Sequence, residues 1–268
     1  MQIETFEDPR LRLLECGYAN LPPKCWNYSG VSLPYWRLYW NTSLGAFIHY
    51  DRQNIALKPS SVVLVAPNTV FSTSNVKRVN QLYVHFQIPT FYVGVAPQII
   101  RFAVTPPVRG PIEELIRLLK KRTPPLWRLS LVARALTELA VSTIMDKTIT
   151  IPRLDPRVLK ALAFLEENLG KDISNAILAQ QAGISVSAFN RLFNKQMGRS
   201  PQAYRRLKCV EKACLMLLSD ASIKQIAEAT GFCDRYHFSR TFKRLQKIGP
   251  AEFRRLNQNL LVATHAQL

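Results

Sequence analysis

Two short runs of this chain place hydrogen-bonding side chains at helical spacing beside phenylalanines. Ser187, Asn190, Arg191 and Lys195 fall on one face of a helix expected over about 186–197, and Phe189, Leu192 and Phe193 fall on the other. Arg235, Tyr236, Ser239 and Arg240 form a second outward set on a helix expected from about 234 to 245, with Phe238, Phe242 and Leu245 inward. The chemistry such sets can do is hydrogen bonding to an edge. Arg offers paired donors that suit guanine O6 and N7, and Asn suits adenine N6 and N7. Tyr236 suits a thymine methyl or a phosphate. Lys195, Arg199, Lys243, Arg244 and Lys247 flank the two sets as candidate phosphate contacts, which set affinity and register but carry no sequence information. A solvated polar helix face is the competing reading of each set, and His237 reads as packing or a solvated neighbour.

The elements that must position these residues are written twice. Ala179 and Gly183 recur as Ala227 and Gly231, forty-eight residues on. Arg191, Phe193, Lys195, Pro201 and Arg205 recur as Arg240, Phe242, Arg244, Pro250 and Arg254, forty-nine residues on. The one-residue slip falls after the Gly, at the start of the longer helix. Each copy is a short helix, a Gly turn and a longer basic helix, the sequence form of a helix-turn-helix. Asp155-Pro156 starts a helix, Ser174, Ser185, Ser200 and Ser222 are further N-cap candidates, and Gly170, Gly183, Gly198 and Gly231 are turn or C-cap positions. A helix from about Pro201 to Leu218 joins the copies. The 268-residue chain carries 36 Lys and Arg against 18 Asp and Glu, a formal +18, which favours polyanions. Tandem copies on so basic a chain point to DNA. Because Arg191 and Arg240 recur in the same frame, base contact, phosphate contact and packing against the domain all stay open for them.

The first part of the chain reads differently. Residues from about 20 to 105 are strand-like: FIHY, SVVLVAP and QLYVHFQI are short, aromatic and β-branched, and separated by turn residues. Strands this close suggest an antiparallel sandwich or barrel. Tyr35, Arg37 and Tyr39 would share one strand face, and Gln81, Tyr83 and His85 another. A binding surface for a small polar molecule and an ordinary aromatic core are both compatible with this pattern. Pro106-Pro107 closes the strand region, Pro111-Ile112-Glu113-Glu114 opens a helix, and a second helix runs from about Leu126 to Met145. These two helices either cover the barrel or pair with a second subunit. Residues 147–153 read as a linker. Five cysteines with no CxxC pair fit a reduced, cytoplasmic compartment. The N-terminus is not a signal peptide, and no apolar run reaches membrane-spanning length. His49 and His85 are the only histidines of the strand region, too few for a clustered metal site, and no Ser/His/Asp or Cys/His constellation gathers into one place.

The repeat resembles the DNA-binding domain of the AraC/XylS family of bacterial transcription regulators. The resemblance rests on Ile223, Ile226-Ala227, Gly231-Phe232, Phe238-Ser239-Arg240, Phe242-Lys243, Pro250 and Phe253-Arg254. In the first half it rests on Leu178-Ala179, Gly183, Ser185, Arg191, Phe193, Gly198, Ser200-Pro201 and Tyr204. The chain departs from the family pattern at Cys209, Lys247, Gly249 and Phe253. LKPSSVVLVAPNTVFSTS and QLYVHF more weakly resemble the cupin-like effector domain of many members, with Phe71 replacing a frequent His. The resemblance implies an α+β two-domain chain. A cupin-like antiparallel β-barrel with flanking helices, effector-binding and dimerising, would span 1–146, and an all-α domain with two helix-turn-helix motifs would span 154–259. It implies that Ser187, Asn190, Arg191, Arg235, Tyr236, Ser239 and Arg240 face bases. It also implies that Arg37, Tyr39, Gln81 and Tyr83 line an effector site for a small molecule such as a sugar. The expected partners are promoter DNA, RNA polymerase and a second copy of the chain, with no cofactor, metal or membrane. A cupin-type enzyme and a non-specific architectural DNA binder are the alternatives.

Overall fold

The structure is a computed structural model that describes residues 11–88, 96–148, 154–255 and 257, with the side chains of 144–148 not described. The described residues up to Thr148 form one compact unit and those from Leu154 a second.

The first unit begins with eight strands: β1 (Arg12–Leu21), β2 (Trp36–Asn41), β3 (Ala46–Tyr50), β4 (Gln53–Leu57), β5 (Ser61–Val65), β6 (Ser72–Asn75), β7 (Val79–Gln87) and β8 (Ile99–Ala103). All pairings are antiparallel, in two sheets of order β1-β7-β2-β5-β8 and β4-β3-β6. Among the described residues these sheets stay open and do not close into one hydrogen-bonded barrel. The sequence reading also missed β1, because RLLECGYANL mixes charge and small residues without a clean alternation.

The large sheet is two-faced because side chains alternate along a strand. Trp36, Leu38, Leu64, Leu82, Val84 and Phe86 point one way and form a core with Ile112 and Leu115 of helix α1 (Pro106–Leu119) and Ala133, Leu136 and Ala140 of helix α2 (Leu126–Thr148). Burying each large side chain there contributes about 1.5–3 kcal/mol. The residues between them, Arg37, Tyr39 and Asn41 on β2 and Gln81, Tyr83 and His85 on β7, occupy the other face, with Arg37 opposite His85, Tyr39 opposite Tyr83 and Asn41 opposite Gln81.

Helix α1 starts at Pro106, not at Pro111. Thr105 is its N-cap and the two prolines take N1 and N2, where a missing N–H costs nothing. Pro111 lies inside the helix, and Glu114, expected in the first turn, instead pairs with Arg117 and Arg128. Helix α2 runs through Thr148, two residues into the stretch read as a linker; residues 149–153 of that stretch lie outside the described residues.

The second unit is helical: α3 (Pro156–Glu167), α4 (Asn175–Ala182), α5 (Val186–Met197), α6 (Pro201–Met216), α7 (Ile223–Ala229) and α8 (Arg235–Gln246), with residues 250–255 helical again. The side chains of Asp155, Ser174, Ser185, Ser200 and Ser222 each accept a backbone N–H at a helix start, as their spacing predicted. Gly183 and Gly198 close α4 and α5 in the left-handed conformation. The repeat is also legible in the core. Phe189, Phe193 and Tyr204 stack in sequence at centroid distances of 5.5 and 5.8 Å. Their counterparts forty-nine residues on, Phe238, Phe242 and Phe253, do so at 5.6 and 5.3 Å. Leu245, read as core, is 36% exposed, because it sits past the last ring that the inward face of α8 can reach.

Candidate nucleic-acid interface

Helices α5 and α8 present the two sets of hydrogen-bonding residues, each anchored by two fully buried phenylalanines and an N-cap. On α5, Ser187, Arg191 and Lys195 are exposed, and so is Arg199 just beyond the C-cap. Arg191 donates to Ser187 Oγ over 3.3 Å, one turn apart, so the two act as a joined pair. Asn190 is half-buried and held from behind: its Oδ1 accepts from Asn175 at 3.0 Å. The Oδ1 of Asn175 in turn accepts from Gln202 at 3.0 Å, and Gln202 also donates to the Ile173 carbonyl. This relay ties α4, α5 and α6 together at the residue expected to read adenine, and leaves the Asn190 amide hydrogens as its freer end. Asn175 and Gln202 escaped the sequence reading because no spacing rule links residues on three helices.

On α8, Arg235, Tyr236 and Arg240 are exposed, Tyr236 by 65%. The Arg235 guanidinium lies 4.7 Å from the Tyr236 ring centroid and donates to its hydroxyl at 2.9 Å. Ser239 donates its proton to the Arg235 carbonyl, so it offers an outside partner only its lone pairs. Arg240 is exposed, and no hydrogen bond or ion pair ties it to the described residues of the domain. His237 packs edge-on to Phe232 at 5.4 Å, which makes it a packing residue. Lys243, Arg244 and Lys247 are exposed around the end of the helix. Asp234 caps α8 by accepting from Tyr236 N and His237 N, both at 2.7 Å, and these hydrogen bonds hold its carboxyl below the usual range.

The other repeated arginine pair has a different place. Arg205 donates to the Lys171 carbonyl, and Arg254 donates to the carbonyls of Leu217 and Ala221. Each closes the loop that leads into its own copy, so recurrence here marks a structural clamp and not a reading residue.

In the first unit, the sheet face turned away from α1 and α2 gathers the residues expected to bind an effector. Arg37 is only 2% exposed, 5.2 Å from the Tyr35 ring centroid and 5.0 Å from that of Phe71. Tyr39 packs edge-on to Trp26, and Gln81 donates to Asn41 at 3.1 Å. Tyr83 donates to Glu15 Oε1 at 3.2 Å, and Glu15 Oε2 faces His85 Nδ1 at 3.3 Å. Gly17 makes this possible, since a Cβ there would lie 2.2 Å from the Tyr83 hydroxyl. Burial pushes the His85 imidazole down and the Tyr83 phenol up. Glu15 was invisible to the sequence reading because its strand was. No group of three or more His, Cys, Asp or Glu able to hold a metal occurs among the described residues. No described helix is long and apolar enough to cross a membrane.

Residues 178–256 match a family described as a helix-turn-helix domain. The HTH-type transcriptional activator RhaS of Citrobacter koseri is 32% identical over 108 residues, which cover 40% of this chain and 39% of that protein. RhaS of an Escherichia coli strain is 33% identical over 94 residues, covering 35% and 34%. The chain therefore spans between a third and two fifths of the length of these curated relatives. Among solved structures, unsaturated fatty acid-bound ToxT from Vibrio cholerae superimposes with a TM-score of 0.53 at 14% identity, over 91% of this chain and 95% of that one. ToxT bound to a methylnaphthalenyl butenoic acid matches equally well, at 13% identity over 91% and 99%. At that identity the likeness concerns the fold: a β-rich unit followed by a helical one. Repeat, capping pattern and aromatic core agree with these matches, and residues 178–256 form a helix-turn-helix domain similar to that of these transcriptional activators.

Proposed function

We propose that this chain is a transcription regulator, an activator, that binds promoter DNA through α5 and α8 and responds to a small molecule held by its first unit. The observation that carries the DNA reading is the pair of helices with the same buried aromatic set and the same outward polar face. The helix-turn-helix match covers both helices, and the transcriptional activator RhaS is similar to this chain over 108 residues. Ser187, Asn190, Arg191, Arg235, Tyr236, Ser239 and Arg240 are the base-facing candidates, and Lys195, Arg199, Lys243, Arg244 and Lys247 the phosphate contacts. Helices that read successive major-groove faces on one side of a duplex sit about 34 Å apart. The first unit is the cupin-like sensor of this scheme, with Arg37, Tyr39, Gln81 and Tyr83 toward a saccharide or a derivative of one. That ToxT, of similar fold, binds an unsaturated fatty acid and a methylnaphthalenyl butenoic acid supports an effector here. Dimerisation through α1 and α2 is supported by Leu126, Trp127 and Leu131, which lie exposed on α2. RNA polymerase is the further partner of an activator, and the cytoplasm the compartment.

A fragment beginning near Pro152 tests the core of this reading. Residues 153–255 carry 19 Lys and Arg against nine Asp and Glu, so binding to an operator selected from random DNA should weaken steeply with salt. Absence of binding at low salt would show the proposal wrong. An equal affinity for every sequence would favour the architectural alternative.

A further inference from the structure

Some buried side-chain atoms among the described residues have no hydrogen-bond partner there. Four of them belong to the inner part of the large sheet: Arg37 Nη1, His85 Nε2, Asn41 Nδ2 and Ser61 Oγ. Native proteins leave few such atoms, because a buried polar group without a partner is destabilising. Arg37 and His85 are direct cross-strand partners, and the Tyr35 ring lies within 5.2 Å of the first and 5.3 Å of the second. The guanidinium and the imidazole therefore border the same ring.

The two groups ask for complementary things. Arg37 carries a positive charge on a forked donor, and no carboxylate lies within ion-pair distance of it among the described residues. Glu15, an acid on the neighbouring strand, meets Tyr83 with one oxygen and His85 with the other. The Arg37 guanidinium already meets the Tyr35 and Tyr39 side chains, and Nη1 remains to give a carboxylate a charge-assisted hydrogen bond. His85, with its Nδ1–H turned to Glu15, holds a lone pair on Nε2 and so accepts a proton from a hydroxyl. Tyr35, Tyr39 and Phe71 offer ring faces to a carbon skeleton. Resting on the reading of the first unit as a sensor, we propose that its effector is a small hydroxy-carboxylate, such as an acidic sugar derivative, with the carboxylate on Arg37 and a neighbouring hydroxyl on His85.

The test compares, on the full chain, glucuronate, galacturonate, gluconate and lactate with glucose, galactose and methyl lactate, by thermal shift and calorimetric titration. At least one hydroxy acid should stabilise the protein and titrate, and its neutral counterpart should not. Arg37→Gln should weaken the acid about 10- to 100-fold, Arg37→Lys should restore part of the loss, and His85→Phe should weaken hydroxy acids more than simple acids. If Arg37→Gln fails to fold, the acid–ester comparison on the unaltered protein still decides. An ester or neutral sugar that binds as well as the acid, or no binding by any acid, overturns the proposal. A neutral sugar that binds and alters DNA affinity would leave the sensor reading standing while removing the anion. An acid that binds without changing DNA affinity would do the reverse.

Discussion

The two helix-turn-helix copies share a core but differ at almost every boundary, and the differences show which parts of a repeat are structural. In the first copy the turn after α4 is open: Gly183 has φ 68° and a Cβ there would meet nothing within 4 Å. In the second copy the matching Gly231 has φ 75° and lies against Gly170, whose carbonyl oxygen would be 2.6 Å from an added Cβ. Lys212 of the connecting helix donates to the carbonyls of Leu169 and Ala229 at the same spot. The same glycine therefore serves a turn in one copy and a close backbone approach in the other. The capping differs as well. Helix α5 is capped by Ser185 and Gly198, and α8 by Asp234 and Lys247, which takes φ 69° without being glycine. After α5 comes Ser200 as a side-chain cap, and after α8 comes Gly249 with no side chain to offer.

The sharpest test of this comparison is the glycine pair. Gly183→Ala should cost about 1–2 kcal/mol, the left-handed penalty alone. Gly231→Ala should cost about 2–5 kcal/mol, because the clash with Gly170 adds to it. Urea unfolding of the C-terminal fragment measures both, and equal losses would break the distinction.

Next comes base reading. Arg240→Ala should relax discrimination at one base pair by about 1–3 kcal/mol and leave stability unchanged, since nothing in the domain holds that side chain. Asn190→Ala should alter preference and also lower stability by about 0.5–1.5 kcal/mol, because the relay from Gln202 through Asn175 loses its end. Lys195→Ala should weaken all sequences alike and flatten the salt slope. Selections on randomised DNA with each variant separate these outcomes. Unchanged preference for Arg240→Ala, Asn190→Ala and Arg191→Ala would remove the reading role from both helices.

Smaller effects follow from the caps. Lys247→Gly should stabilise the fragment by about 1 kcal/mol by relieving the left-handed lysine. Gly249→Ser should add roughly a few tenths of a kcal/mol. Thermal melting would reveal both, and a destabilised Lys247→Gly would mean that this side chain contributes more than its backbone costs. The mildest contrast is with pH. The Asp234 carboxyl is depressed in the folded state, so its stabilisation is present above its unfolded value, 3.8, and lost as pH falls through the folded one. Ser185 does not titrate. Acid unfolding monitored with Asp234→Ser should therefore lose part of its pH dependence, whereas an unchanged acid limb would argue against the cap.

How much was legible depended on how local the cause was. Caps such as Ser174, Ser185, Ser200 and Ser222 act over three residues, and all four took their expected places. Pro111 misled because a proline one turn into a helix looks, in sequence, like a proline at its start. Arg37 with Tyr39, and Gln81 with Tyr83, share strand faces as their period-two spacing implied, and the β2–β7 register puts both pairs on one sheet face. Glu15 did not emerge, because a strand without alternation carries no period to read. Cupin-like closure was expected from the family resemblance, and two open sheets are what the strands form.

By itself, the sequence determined the duplicated helix-turn-helix, the N-caps of its helices, the inward phenylalanine pairs and the excess of positive charge, all matters of spacing along one helix or of composition. Only the tertiary structure decided that Arg205 and Arg254 clamp loops while Arg240 stays free, that Asn190 is held from behind, and that Gly231 meets Gly170. It alone brought Glu15 to Tyr83 and His85 and left Arg37 buried with no carboxylate in ion-pair reach among the described residues. Each of these depends on residues brought together from separate elements, and the hydrogen-bond and steric forces that assign their roles act over a few ångströms of space, whatever the distance along the chain.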